Sequence, residues 1–216
     1  MKDPRFDKFI LLSNGLVPFI LLLWDARHHR LGTNPVEFAL HATGMLALIF
    51  LTLTLTITPL RKFTGWNYLS HFRRMLGLFA FFYASLHFTI YFIFQQNKSV
   101  AAAMLDVLNR SFILFGMTAL ILMVPLAATS TNWSIRKLGA EPWKKIHKLV
   151  YWSAGAAGLH YLKFPKADTR LPLIFGGILV SLLGYRLLVK RFPNLHCRRP
   201  QPVTPIPSVS LSDAKH

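Results

Sequence analysis

Long apolar runs separated by short basic stretches organise this chain of 216 residues. Six runs approach the roughly 20 residues an α-helix needs to cross a bilayer. They lie at about residues 8–24, 41–60, 75–95, 111–130, 147–163 and 171–189. The first is the weakest, being short and interrupted by Asn14, Gly15 and Pro18. No small-residue cleavage site follows Trp24, where the chain continues Asp25, Ala26, Arg27, so this run reads as an uncleaved span rather than a signal peptide. In the second run LTLTLT alternates apolar and Thr residues, and on a helix each hydroxyl can bond a preceding carbonyl. The pattern predicts an all-α integral membrane protein, a six-helix transmembrane bundle over residues 1–192. The tail at 193–216, PNLHCRRPQPVTPIPSVS onward, is too rich in Pro and Ser to fold alone and is expected to be disordered.

Composition agrees with a bilayer as solvent, since 53% of residues are hydrophobic, more than a soluble domain of this size would bury. The formal charge of +17 does not point to nucleic acid, because Lys and Arg sit between apolar runs and not along one amphipathic face. Their distribution predicts orientation instead. With six crossings, Lys2, Arg5 and Lys8 share a side with Arg61, Lys62, Arg73 and Arg74, with the basic stretch Arg136 to Lys148, and with Lys190, Arg191, Arg198 and Arg199. The opposite loops hold Arg27 and Arg30, then Lys98 and Arg110, then Lys163, Lys166 and Arg170. The positive-inside rule puts both termini in the cytoplasm, where the lone Cys197 meets a reducing environment and has no disulfide partner in the chain.

Histidines carry the candidate chemistry. An imidazole in hydrocarbon is costly unless its nitrogens are satisfied. His87 stands in MLGLFAFFYASLHFTIYF, and His147 and His160 stand in KIHKLVYWSAGAAGLHYLKF. The third and fifth spans run parallel; at about 1.5 Å per residue, His87 lies roughly 20 Å beyond Arg74 and His160 roughly 20 Å beyond His147. Two imidazoles at one outer depth are what a six-coordinate b-type haem requires. Gly77, Ala80 and Ala84 precede His87, and Ser153, Ala156 and Ala157 precede His160. These small residues give a flat ring access to the backbone, although close helix packing alone would also explain them. His147 is turned away from His160 on an ideal helix and would serve a different, inner cofactor, or simply lie at the interface. The corresponding inner positions of the third span are Arg73 and Arg74, which cannot ligate iron but can pair with a phosphate, a propionate or a semiquinone anion.

The stretches LTLTLTITPLRK, FRRMLGLFAFFYASLHFTIY and TSTNWSIRKLGAEPWKKIHKLVYWSAGAAGLHYL resemble the MsrQ family, formerly YedZ, over about residues 10 to 190. More distantly the plan is similar to the ferric reductase and NADPH oxidase transmembrane domains, which hold two haems with two histidines on each of two helices; Arg73 and Arg74 depart from it. The resemblance implies a multi-pass protein of the bacterial inner membrane, carrying haem b and FMN in a methionine sulfoxide reductase system. It would draw electrons from the quinone pool, with a cytoplasmic flavin reductase as a further donor. It would deliver them to a periplasmic molybdopterin subunit, MsrP, that repairs oxidised proteins. The chain would then be an electron-transfer subunit and not the catalytic one.

Other histidines have plainer readings. His41 opens the second span as an interfacial residue, a propionate contact or a spare ligand; His28 and His29 fall in a charged loop; His71 lies near Arg73. No phosphate loop, dinucleotide glycine motif or nucleophile elbow is present, and nothing in the chain would bind NADPH. Two alternatives remain beside the haem subunit: another transmembrane reductase of the ferric type, and a transporter or assembly factor relaying protons through histidine. The relay would call for acids inside the spans, whereas Asp25, Glu37, Asp106, Glu141 and Asp168 are all expected in loops.

Overall fold

The computed structural model describes residues 4–164 and 169–191; Lys166, Asp168, Cys197 and the tail fall outside them. Its helices are α1 (Pro4–Arg27), α2 (Pro35–Thr64), α3 (Arg73–Ile90), α4 (Val100–Asn109), α5 (Ser111–Ala128), α6 (Asn132–Leu138), α7 (Ala140–His147), α8 (Leu149–Lys163) and α9 (Arg170–Arg191). A 3₁₀ turn, Asn67–His71, precedes α3, and a π turn, Tyr91–Gln95, continues it. Start and stop signals are local. Asn34 accepts from the Glu37 backbone N–H with Pro35 in the first turn of α2, and Gly65 ends that helix in the left-handed region at φ 74°.

Among the described residues, five helices are long and apolar enough to cross a membrane: α1, α2, α3 with its π turn, α5 and α9. The expected fifth span behaves differently. α8 has 15 residues, and the helix is interrupted at Lys148, so His147 closes α7 and does not belong to the helix of His160. The phase of a single helix therefore does not set the angle between these two histidines. The expected outer loop 96–110 is also largely helical, because Ser99 caps Ala102 and starts α4. Asp106 belongs to that helix, Asp25 to the last turn of α1, Glu37 to the first turn of α2 and Glu141 to α7, so these four acids are not in loops.

α2 packs along α3, and α5 along α8, each pair antiparallel. α1 runs in the same sense as α3, with Tyr68 bonded to Asp7 at one end and Phe19 edge-on to Phe82 further along. The Asp7 carboxylate pushes the Tyr68 phenol up to about 12. Of the residues that interrupt the first run, Gly15 docks it: Tyr83 Oη donates to the Gly15 carbonyl at 2.7 Å, and a Cβ on Gly15 would collide with the Phe79 ring. Asn14 Nδ2 is satisfied within α1 by the Ile10 carbonyl. Phe50 stacks on both Phe79 and Tyr83 around the fully buried Leu55, Ala80 and Tyr83. The Thr ladder forms as its sequence suggests: Thr52, Thr54 and Thr56 donate to Leu48, Phe50 and Thr52 carbonyls at 2.7–2.9 Å. Large apolar side chains such as Leu21, Leu23, Ile121, Val180 and Leu188 face outward, as hydrocarbon allows.

Candidate functional site: a paired-imidazole cavity

His87 near the end of α3 and His160 near the end of α8 meet with ring centres 6.2 Å apart and planes at 81°. Each ring is oriented by a carbonyl from the neighbouring antiparallel helix. His87 Nδ1 bonds the Leu40 carbonyl at 2.9 Å, and His160 Nδ1 bonds the Phe112 carbonyl at 2.6 Å. A carbonyl only accepts, so Nδ1 carries the proton in both rings and Nε2 keeps its lone pair. The same device recurs in the two helix pairs. A glycine stands four residues after each acceptor, Gly44 after Leu40 and Gly116 after Phe112. A Cβ would lie 3.1 Å from His87 Nδ1 at Gly44 and 2.7 Å from His160 Nδ1 at Gly116, so glycine is what lets each imidazole reach its carbonyl.

The two histidines open on a cavity of about 500 Å³, walled by α2, α3, α5 and α8. That is within the range of small-molecule and cofactor sites, about 300–1,000 Å³. Leu48, Leu51, Ala84, Met123 and Ala157 make its apolar walls, while Asn34, Glu37, Gln95 and Arg110 stand at its other end. An imidazole nitrogen sits about 1.15 Å from its ring centre, given C–N bonds of about 1.33 Å. With metal–nitrogen bonds of about 2.0–2.1 Å, two rings on opposite sides of one ion have centres about 6.3 Å apart. The observed 6.2 Å matches that separation. Among the described residues, no group of three or more His, Cys, Asp and Glu side chains could hold a metal. The pair thus suits an ion whose remaining ligands arrive with it, as a porphyrin's four nitrogens do.

The inner candidates are placed apart from this pair. His147 is half-buried, stacks on Trp143 at 3.9 Å and bonds the Trp143 carbonyl through Nδ1 at 3.1 Å. Burial lowers its pKa below the ordinary histidine value, and the nearby positive charge of Arg73 adds to this; the Trp143 carbonyl opposes it. The structure thus brings Arg73 within electrostatic range of His147, and Arg74 donates to Asn132 Oδ1 at 2.6 Å. His41 lines the cavity, 3.7 Å from Glu37 and edge-on to Phe164. His28 stacks on Trp24 and His71 bonds the Tyr68 carbonyl, both exposed.

Sequence reasoning passed over three features. One is the glycine pair, whose only signal is spacing from a carbonyl that cannot be identified without the helix register. Another is Arg186, the only Arg or Lys well inside the last apolar run, a signal that was legible. Pro59 deprives the Leu55 carbonyl of its helical donor, and Arg186 Nη2 supplies one at 2.7 Å while also donating to Thr58 Oγ1 at 3.0 Å. The guanidinium lies 4.7 Å over the Tyr151 ring, with Nε and Nη1 buried. The third feature is the cluster that Tyr91, Gln96 and Arg110 form on Asp106.

Residues 43–158 match the family described as "Ferric reductase like transmembrane component". The match takes in Gly44, His87 and Gly116 and stops two residues short of His160. The chain is also similar to curated proteins named "Protein-methionine-sulfoxide reductase heme-binding subunit MsrQ". It is 45% identical to the one from Herminiimonas arsenicoxydans over 182 residues, covering 83% of this chain and 84% of that protein. It is 40% identical to the one from Brucella anthropi over 196 residues, 91% and 86% of the two chains. The Brucella ovis protein is 42% identical over 202 residues, 92% and 90%. No solved structure matches.

Proposed function

The chain belongs to the MsrQ family, and from that membership we propose that it is a six-helix membrane cytochrome b of the bacterial inner membrane. α8 would supply the sixth crossing and both termini would face the cytoplasm. It carries electrons from quinol or reduced flavin on the inner side to a periplasmic molybdopterin reductase of the MsrP type. The observation supporting this reading is the 6.2 Å pair of imidazoles, each fixed in one tautomer by its own carbonyl.

His87 and His160 would hold a b-type haem through Nε2, and the group, when bound, supplies reversible one-electron chemistry at iron. The rest is the work of the chain. Leu40 and Phe112 carbonyls keep the Nδ1 protons in place, which orients both rings and raises their basicity. Leu48, Leu51 and Met123 exclude water from the inner part of the cavity, and the small side chains of Ala84 and Ala157 leave room for a flat ring. His147, Arg73 and Arg74 would frame an inner cofactor, and their cationic surroundings at Lys144 and Lys145 favour a phosphate-bearing group such as FMN. An inner site is wanted because the outer pair lies far across a core of roughly 30 Å from the cytoplasmic face.

Visible spectroscopy on the purified protein tests the proposal. A low-spin haem spectrum is expected, and it should be lost in His87→Ala and in His160→Ala, since each strips one of two axial bonds. A colourless wild-type protein, or unchanged spectra in either variant, would overturn it.

A further inference from the structure

Charge around the cavity is one-sided. Among the described residues lining it, Arg110 is the only Lys or Arg, and it stands at the outer end, two residues before Phe112, whose carbonyl orients His160. Its position is fixed by a polar cluster. Arg110 Nε forms an ion pair with Asp106 Oδ1 at 2.9 Å; Tyr91 Oη and Gln96 Nε2 both donate to Asp106 Oδ2, at 2.8 and 2.9 Å. The Asp106 side chain is only 16% exposed, while that of Arg110 is 61% exposed. The π turn Tyr91–Gln95 gathers Tyr91 and Gln96 on this one carboxylate, as such turns often do at functional sites. Among the described residues, Asp106 holds the guanidinium at Nε. The planar fork of its terminal amino groups matches a carboxylate ligand.

The α2 lining carries the opposite sign. Glu37 accepts from Asn34 Nδ2 at 2.9 Å and lies 3.7 Å from His41, and its charge would repel an incoming carboxylate. Resting on the haem reading above, we propose that Arg110, poised by Asp106, anchors a carboxylate side chain of the porphyrin, so that the macrocycle enters this cavity with its acid edge outward on the α4–α5 side. The apolar edge then meets Leu51 and Met123 at the closed end.

The test compares full-length apoprotein in detergent titrated with haem and with haem dimethyl ester, whose carboxylates are blocked. Wild type should bind the ester about tenfold more weakly. Arg110→Gln should weaken haem by a similar factor and abolish the difference between the two ligands, while keeping the bis-imidazole spectrum. Arg110→Lys should keep part of the difference. Equal binding of haem and ester by wild type overturns the anchor without needing any variant, and so does an ester penalty that persists in Arg110→Gln. Failure of wild type to take up haem at all would defeat the haem reading itself, a result distinguishable from these.

Discussion

Gly116 and His160 are packed so closely that a single added carbon on the glycine would lie 2.7 Å from the imidazole Nδ1. The nearest atom, Nδ1, is the one that bonds the Phe112 carbonyl, so the ring cannot yield without losing its orienting hydrogen bond. Gly116→Ala should therefore lower the haem-to-protein ratio and disturb the low-spin spectrum. Gly44→Ala, with 3.1 Å to His87 Nδ1, should do the same more weakly. Optical titration of both variants checks the order; an unperturbed Gly116→Ala would mean that the carbonyl bond does not govern ligation.

Arg186 and Pro59 act on one carbonyl. Proline leaves Leu55 O without its i+4 donor, and the guanidinium replaces it from another helix. A hydrogen bond from a charged donor contributes about 1.5–3 kcal/mol, and burying the cation costs a comparable or larger amount. Arg186→Met should accordingly be close to neutral in stability. Its effect should become more favourable in a Pro59→Ala background, where the helix restores its own N–H to Leu55. A double-mutant cycle read by thermal unfolding in detergent measures this coupling, and strict additivity would refute it.

His147 makes stability depend on pH. Its folded pKa is lowered by burial and by Arg73, so as pH falls below the ordinary value of about 6.5 the unfolded chain takes up the proton first. Stability should decline as pH drops from about 6.5 toward the folded value, and His147→Gln should remove that component. The same variant should leave the His87–His160 spectrum intact and slow reduction by quinol or reduced flavin. Flavin released on denaturation of wild type is expected with a haem-to-protein ratio near one; a ratio near two with no flavin would exclude FMN at the inner site.

Apolar run length and basic punctuation made most helices legible, because in a bilayer those features decide the element directly. Depth along parallel helices also brought His87 and His160 to one level without structural help. What stayed hidden depends on register between helices. KKIHKLVYW reads as one continuous helix, and only the fold shows the break at Lys148 that separates His147 from α8. Ser99 with the helical VAAAMLDVLN was a readable capping signal, outweighed by the polar residues around it. The glycines beside the two histidines and the Leu55 carbonyl under Arg186 required knowing which turn of α2 or α5 lies opposite, which spacing within one segment does not encode.

The proposed acceptor should dock at the end of the bundle where the cavity opens. His160 lies three residues before Lys163, the last residue of α8, so the cofactor edge would lie near that surface and a soluble protein could approach it through a small, transient contact. Lys163 is exposed beside Phe115, and Arg170 opens α9 close by in sequence; Lys166 lies between them in the chain, outside the described residues. This positive group should orient an acidic acceptor, affecting encounter rate more than affinity, and salt should screen it over about 10 Å at 0.1 M. Lys163→Glu, Lys166→Glu and Arg170→Glu together should slow reduction of the acceptor severalfold at low salt, with haem content unchanged. The gap between variant and wild type should close as ionic strength rises. Stopped-flow reduction across a salt series reads both effects, and equal rates at every ionic strength would place the docking surface elsewhere.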